Sequence, residues 1–417
     1  MSSSNSQGLL HLLRSGGAPL MIIGLLGRLP TAMTPMLLLV AIPLAGGSLT
    51  QAGSAVGVSA LGTAVSGFAV GLLIDRFGAR PIVVLAAVIH GSALLGVAVQ
   101  FRNLDDAPLI LPLAFLVGVS NPAIGALARA EWVRRSDAGE LNPSAVRSAL
   151  AWEASSSEAA FVFGPVVASL LLSVIEPRVA LIAVAMSGFV VHLEFVRQVP
   201  LRATGSVGAS ATGQDTAFRS VFTAEVLRRP GVVAMAALLV AAAVGFVFGS
   251  VQASLNAVFV GLGVPALVGP VYGIMGAGSI IGGLVWAQIP DRYRGPWVVL
   301  SAGMVFVGVG AAVVNSTAMG IAASCVVCAA VGLWLSPVLA EAYHQGRVAV
   351  SARVKVTMMT VFAGGTSVGV GVGAPLSSSL SVAGDSQSGF LGLAVAGVVF
   401  ILGGGVLVRQ SRGRSRD

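Results

Sequence analysis

Arg28, Glu153 and Glu158 lie well inside long apolar stretches of this 417-residue chain, where charge is costly and usually serves a function. Arg28 lies roughly ten residues into the first stretch, and Glu158 lies at a comparable depth in the fifth. Because either charge alone would be uncompensated, we expect Arg28 and Glu158 to pair. Glu158 is the first candidate for a group that exchanges a proton, and Glu153, five residues earlier, is the second. A structural pair that never titrates is the alternative.

Further charges lie in a turn between two apolar stretches, the run GLLIDRFGARP at residues 71–81. Its glycines permit a turn and close backbone approach, and its charges are suited to holding and releasing partners in neighbouring segments. The residues concerned are Gly71, Asp75, Arg76, Gly78 and Arg80. A weaker copy, containing Asp291 and Arg292, follows the eighth apolar stretch.

The composition identifies the class of protein that must position these residues. Hydrophobic residues make up 56% of the chain and charged residues only 10%, whereas about a quarter of a soluble domain is charged. The 54 glycines favour helices that pack closely in lipid. We therefore predict a polytopic α-helical membrane protein. The net charge of +8 does not indicate nucleic-acid binding, because the basic residues lie mainly between apolar runs.

Twelve stretches are long enough to cross a bilayer, which takes roughly 20 apolar residues each. They are residues 18–43, 50–74, 81–101, 109–131, 147–173, 179–197, 231–258, 267–289, 296–314, 318–340, 354–379 and 388–408. The long polar stretch 198–230 separates the first six from the last six. We predict two six-helix bundles, residues 1–197 and 231–417, joined by this linker, with a short basic tail at the end of the second.

The distribution of Lys and Arg predicts the orientation in the membrane. With both termini on the cytoplasmic side, 21 of the 24 basic residues lie at inner loops, inner helix ends or the termini, and only Arg102 and Arg178 lie outside. We therefore expect both termini, the 198–230 linker and the 71–81 turn to be cytoplasmic, and the membrane to be the plasma membrane.

The 71–81 turn resembles the loop motif between the second and third helices of the major facilitator superfamily of secondary transporters. The resemblance implies two bundles related by parallel repetition and transport by alternating access. It also implies a conformational latch formed by Gly71, Asp75, Arg76, Gly78 and Arg80, with Asp291 and Arg292 as the second copy. That Arg76 and Arg80 are merely inner-loop charges is the alternative.

The fifth stretch resembles, in part, the antiporter motif of the drug exporters of this superfamily. The matching run is Ala160-xxx-Gly164-Pro165-xx-Ala168, with alanine at positions where that motif usually has glycine. Gly164 and Pro165 give a small-residue face and a softened helix turn. The resemblance implies export by antiport, and a generic packing face is the alternative.

The family resemblance also implies a central cavity lined by the first, fourth, seventh and tenth helices. Those stretches contain Arg28, Asn121, Gln252, Asn256 and Trp334, of which Gln252 and Asn256 are one turn apart and share a face. Each of the uncharged four is also explained by hydrogen bonding between helices. Together they predict an apolar cavity with a few polar anchors, which suits a lipophilic or amphipathic small molecule.

These inferences define a transporter rather than an enzyme, and a proton-coupled exporter is the expected function. We expect no cofactor and no metal, because the glycine clusters follow no strand and the Cys325–Cys328 pair lacks further ligands. Expected partners are a small-molecule substrate, a proton or other ion gradient and the lipid bilayer, with the protein as a monomer. A metabolite uptake symporter or uniporter, or a transporter-like sensor that moves nothing, are the alternatives.

Overall fold

The computed structural model describes residues 12, 17–102, 104, 107–199, 231–316, 319–350 and 355–414, without the side chains of Phe68, Asp75, residues 355–357 and residues 412–414. All regular structure in these ranges is helical. Apart from its first two residues, the predicted linker 198–230 lies outside the described residues.

The helices follow the predicted order, and we number them α1 to α12. In the first half they are α1 Ala18–Leu44, α2 Leu49–Phe77, α3 Ala79–Gln100, α4a Ile110–Val119, α4b Ile124–Asp137, α5 Pro143–Val174 and α6 Pro177–Gln198. In the second half they are α7 Val232–Gly261, α8 Val268–Gln288, α9 Trp297–Val314, α10 Ile321–Val348, α11 Lys355–Ala383 and α12 Leu391–Arg414. Eleven spans in the described part of the chain are long and apolar enough to cross a membrane, and α2 adds a further helix of 29 residues.

Local sequence signals explain several helix boundaries. The Ser48 hydroxyl accepts the backbone N–H of Gln51 at 3.0 Å and caps α2. Asn142 caps α5 in the same way through Ala145, and Pro143 occupies the first helical position, where its missing N–H costs little. This cap starts α5 four residues before the predicted position of 147, a shift that matters for the site described below.

The fourth span is broken in its middle. Asn121 and Pro122 separate α4a from α4b, and Ala123 adopts a positive φ of 51°. A break at this depth frees backbone carbonyls that lipid cannot satisfy. Neighbouring helices supply donors: the Ser66 hydroxyl donates to the Asn121 carbonyl at 3.3 Å, and His90 Nδ1 lies 3.0 Å from the Val117 carbonyl.

Helices α1–α6 pack mainly with one another, as do α7–α12, and the two halves meet chiefly through α2 with α11 and through α5 with α8. We call the face of the bundle where α6 ends and α7 begins the linker side, and the opposite face the far side. Since successive helices run in opposite directions, α1 and α5 run from the linker side to the far side, and α2 and α8 run back.

The two halves are packed together on the far side. Gly57 of α2 lies against the Gly371 carbonyl and Pro375 of α11, and Gly269 of α8 lies against the Pro165 carbonyl of α5. Two hydrogen bonds cross the same region. The Gly269 N–H donates to the Ser169 hydroxyl at 2.9 Å, and Asn256 Nδ2 of α7 donates to the Leu39 carbonyl of α1 at 2.8 Å.

The halves separate toward the linker side. Gly71 lies 18 residues, or about five turns, after Gly53 and therefore on the same face of α2. A methyl group on Gly53 would overlap Ser378 of α11, whereas one on Gly71 would meet no atom within 4 Å. The structure is thus closed at the far side and open at the linker side.

Candidate functional site

A buried ion pair lies between α1 and α5. Arg28 Nη2 donates to Glu153 Oε2, and Arg28 Nη1 donates to the Gly24 carbonyl at 2.7 Å. The other carboxylate oxygen of Glu153 accepts the indole N–H of Trp132, on α4b, at 2.9 Å. Glu153 is fully buried and Arg28 is 8% exposed. Both oxygens of Glu153 are thus satisfied, as the burial of its charge requires.

The predicted Arg28–Glu158 pair is not formed, because Arg28 pairs with Glu153 instead. Equal depth in the two helices predicts the correct partner of Arg28 once residues are counted from the true start of α5. Arg28 lies ten residues into α1, and Glu153 lies ten residues into α5, counting from Pro143. Glu158 is five residues further on, about 140° around the helix, and therefore faces away from α1.

Glu158 is exposed at the place where α5 and α8 part. It shares a face of α5 with Val162, Pro165 and Ser169. These three residues contact α8: Val162 lies against Gly276, and the other two lie against Gly269. One turn closer to the linker side, Glu158 is the first member of this stripe that is no longer covered by α8.

The surface of α8 across from Glu158 is apolar. The face that begins with Gly269 and Gly276 continues toward the linker side through Ile280, Leu284 and Ala287, at helical spacing. All three are exposed, and none carries a charge. If the linker side closed, Ile280, which lies at the depth of Glu158, would approach it without offering a cation. The Arg294 guanidinium is bonded to the Ala287 carbonyl, seven residues further along α8.

Arg129 and Trp132 are site residues that the sequence analysis did not select. Arg129 was counted as an inner-loop charge, but α4b continues eight residues past it. It lies one turn from Gly125, which is in contact with the Arg28 guanidinium, and three residues before Trp132. Its charge is close enough to be repelled by Arg28 and attracted by Glu153. The sequence signal was its position inside the fourth apolar stretch.

The other predicted cavity residues take different positions. Asn256 is 1% exposed and holds the far side closed through Leu39, and Gln252 is 4% exposed. Asn121 forms part of the break in the fourth span, where its side-chain oxygen accepts the Ala123 N–H at 3.3 Å. Trp334 lines a groove between α8, α9 and α10 together with Trp286 and Trp297.

The predicted latch lies open at the linker side. Gly78 ends α2 with a φ of 86°, a conformation that glycine adopts without strain, and Arg76 and Arg80 are both exposed. Within the described residues, neither arginine forms an ion pair, and the side chain of Asp75 lies outside the description.

In the described residues, the second copy of the turn contacts itself and the end of α8, where Arg294 donates to the Ala287 carbonyl. Asp291 pairs with Arg294 at 3.1 Å, and the Arg292 guanidinium lies 4.6 Å from the centre of the Tyr293 ring. Both copies therefore lie at the linker side without holding the opposite half in the part of the chain that the structure describes.

The Gly164–Pro165 segment lies between two helices. Gly164 packs against the backbone of Ala32 on α1, where a methyl group would approach to 2.8 Å, and the Pro165 carbonyl packs against Gly269 on α8. The segment thus joins the α1–α5 pair within the first half to the far-side contact between halves.

The fold and its pseudo-repeated turns define a multi-pass membrane protein of the transporter type. The family model of the Major Facilitator Superfamily matches residues 20–357, and the chain belongs to this family, whose members are transporters and not enzymes. No curated protein sequence matches the chain.

Solved structures share the architecture at low sequence identity. The nucleoside transporter NupG is 14% identical and has a TM-score of 0.67, with 94% of this chain and 98% of that chain covered. A bacterial homolog of the human lysosomal transporter Spinster, inward-facing and unoccupied, is 17% identical with a TM-score of 0.66, covering 98% of both chains. The POT family transporter PepTSo is 13% identical with a TM-score of 0.66, covering 96% and 99%.

Proposed function

We propose that this protein is a secondary active transporter of the drug-exporter type, which moves a lipophilic or amphipathic small molecule out of the cell in exchange for protons. In this proposal the linker side is cytoplasmic and the membrane is the plasma membrane, as the arginine distribution indicates. The opening between the halves then receives solute from the cytoplasm.

The observation that carries the proposal is the position of Glu158 where α5 parts from α8, across from the apolar Ile280, Leu284 and Ala287. In alternating access the linker side must close, which brings this face of α8 toward Glu158. A carboxylate buried there without a cation would be unfavourable. Closure therefore requires that Glu158 be neutralised.

Two species can neutralise Glu158: a proton, or a cationic group on the solute. If the two compete for the same carboxylate, the protein carries either a proton or the solute each time it changes conformation. The result is exchange of solute for protons. Arg129, which is exposed on α4b near Arg28 and Glu153, supplies a cation to the same half. Mostly apolar walls with one acidic and one basic side chain suit an amphipathic solute.

The test is flux in proteoliposomes with an imposed pH gradient, with ethidium as a lipophilic cationic probe. We expect uphill ethidium movement coupled to opposite proton movement in the wild type. In Glu158→Gln the gradient should no longer drive accumulation, although ethidium should still equilibrate. Glu194→Gln is the matched control, because Glu194 is a carboxylate at the linker end of α6 that pairs with Arg197.

Three outcomes contradict the proposal in different ways. Gradient-driven transport that survives in Glu158→Gln removes Glu158 from coupling. Movement of solute and protons in the same direction supports the uptake alternative. Saturable binding without flux for the wild type, across a panel of cationic, neutral and anionic amphiphiles, supports a sensor.

A further inference from the structure

Three of the five tryptophans in the chain line one groove, which lies at the linker ends of α8 and α9 and reaches the middle of α10. Trp286 and Trp297 meet edge to face with ring centroids 5.9 Å apart, and Trp334 completes the lining with Val285, Ile289 and Leu333. The groove holds about 280 Å³, and its α8 lining, mainly Val285 and Ile289, lies on the helix face opposite Gly276 and Ile280. It is therefore separate from the opening between the two halves.

The turn beside this groove is basic. Arg294 pairs with Asp291 and donates to the Ala287 carbonyl at 2.5 Å, and its buried Nε has no hydrogen-bond partner within the described residues. Arg292 is exposed, rests on the Tyr293 ring and has no carboxylate within 4.0 Å in the part of the chain that the structure describes. One aspartate and two arginines leave the turn with a net positive charge.

The position along the membrane normal adds a second argument. One end of the groove, at Trp286 and Trp297, lies where α8 ends and α9 begins, which is the depth at which a membrane helix meets the lipid headgroups, and Trp334 lies deeper. Tryptophan is enriched at this depth because its ring is apolar and its N–H is polar. An apolar groove with exposed Val285, Trp297 and Leu333, next to a cationic turn, has the shape and charge of a site for an anionic amphiphile.

We propose that this groove binds an anionic phospholipid. One acyl chain lies against Trp286, Trp297 and Trp334, and the phosphate contacts Arg292 and Arg294. A zwitterionic lipid offers the same acyl chain, but its headgroup carries no net charge to match the turn. The equivalent turn of the first half, with Arg76 and Arg80, has similar charge but no tryptophan groove of this kind among the described residues.

The experiment uses the full-length protein in phosphatidylcholine vesicles that contain brominated lipid, which quenches the fluorescence of tryptophans it contacts. Brominated phosphatidylglycerol is compared with brominated phosphatidylcholine at equal mole fraction. We expect the anionic lipid to reach half-maximal quenching at lower mole fraction, with roughly a fivefold preference per arginine near the surface. Replacing the three groove tryptophans with phenylalanine should remove the preferential component.

Arg292→Gln/Arg294→Gln should abolish the preference for the anionic lipid, whereas Arg76→Gln/Arg80→Gln removes the same charge at the other turn and should preserve it. Equal quenching by the two brominated lipids overturns the proposal. So does an equal loss of preference in both double variants, because that result indicates general attraction of anionic lipid to a basic protein. Circular dichroism of each variant checks that its helices are retained.

Discussion

The pairing of Arg28 with Glu153 divides the two carboxylates of α5 into different roles. Glu153 is fully buried, and both of its oxygens are bonded, to Arg28 and Trp132. Glu158 is exposed and lies at the parting point of two helices. The first is suited to holding α1, α4b and α5 together, and the second is suited to changing its protonation state during a conformational change.

Removing one partner of the buried pair should be strongly destabilising. We expect Glu153→Ala to lower the unfolding free energy by about 3–5 kcal/mol, because Arg28 would remain buried and unpaired. The double change Arg28→Met/Glu153→Leu should recover most of that loss, since apolar side chains of similar size need no partner. Thermal unfolding in detergent measures both, and equal instability of the single and double variants would contradict the account.

Glu158→Gln should behave in the opposite way. Its exposed side chain has no hydrogen-bond or ion-pair partner among the described residues. The unfolding free energy should therefore change by no more than about 0.5 kcal/mol in either direction, as for a typical surface substitution. Proton coupling should nevertheless be lost, as proposed above. A melting temperature as low as that of Glu153→Ala would show that Glu158 is structural.

At the scale of the helices, glycine faces decide which side of the protein is closed. Gly269 allows α8 to touch the Pro165 carbonyl of α5 on the far side, and Gly71 faces open space on the linker side. A methyl group on Gly269 therefore destabilises the present conformation, which is closed at the far side. A methyl group on Gly71 destabilises the alternative conformation, which is closed at the linker side. The hydrogen bonds of Ser169 and Asn256 also stabilise the conformation that is closed at the far side.

We expect Gly269→Ala to favour opening of the far side and Gly71→Ala to favour the present, linker-open arrangement. The measurement is the distance between spin labels in a background lacking Cys325 and Cys328. Labels at Leu109 and Leu262, both exposed far-side residues of opposite halves, should move apart only in Gly269→Ala. No shift in either variant would argue against glycine-controlled closure.

Removal of the far-side hydrogen bonds should shift the same equilibrium in steps. Ser169→Ala and Asn256→Leu each delete one bond between halves, worth about 0.5–1.5 kcal/mol. Each should raise the far-side-open population relative to the closed one by roughly two- to tenfold, and the double variant should give approximately the product. Ser173→Ala is the control, because that hydroxyl bonds within its own helix, to the Leu170 carbonyl.

At the scale of the whole molecule, each half has its own packing, and the interface between halves is concentrated on the far side. This arrangement allows the halves to rock while each remains intact. We expect residues 1–199 and 200–417, expressed as two chains, to associate and to retain solute flux at a reduced rate. Co-purification through a tag on one half, followed by flux in proteoliposomes, checks this, and folded halves that fail to associate would contradict it.

Much of this architecture was accessible from the sequence. Apolar length predicts the spans, and the polar stretch 198–230 and the repeated Asp-Arg turn predict two related halves. The intramembrane charges identified the right helices, α1 and α5. The prediction that Arg28 pairs with Glu158 was wrong, because it placed the start of α5 at residue 147. The Asn142 cap starts the helix at Pro143.

The sequence by itself determined that this is a helical membrane protein with a repeated fold and with buried charges that need partners, because the cost of unpaired charge and free backbone in lipid leaves few alternatives. Only the tertiary structure decided that Glu153 pairs with Arg28, that Arg129 lies near this pair, and that Asn256 bonds the two halves at the far side instead of lining a cavity. Each residue turns the helix by about 100°, so the face a side chain presents depends on helix starts and on crossings that no local pattern specifies.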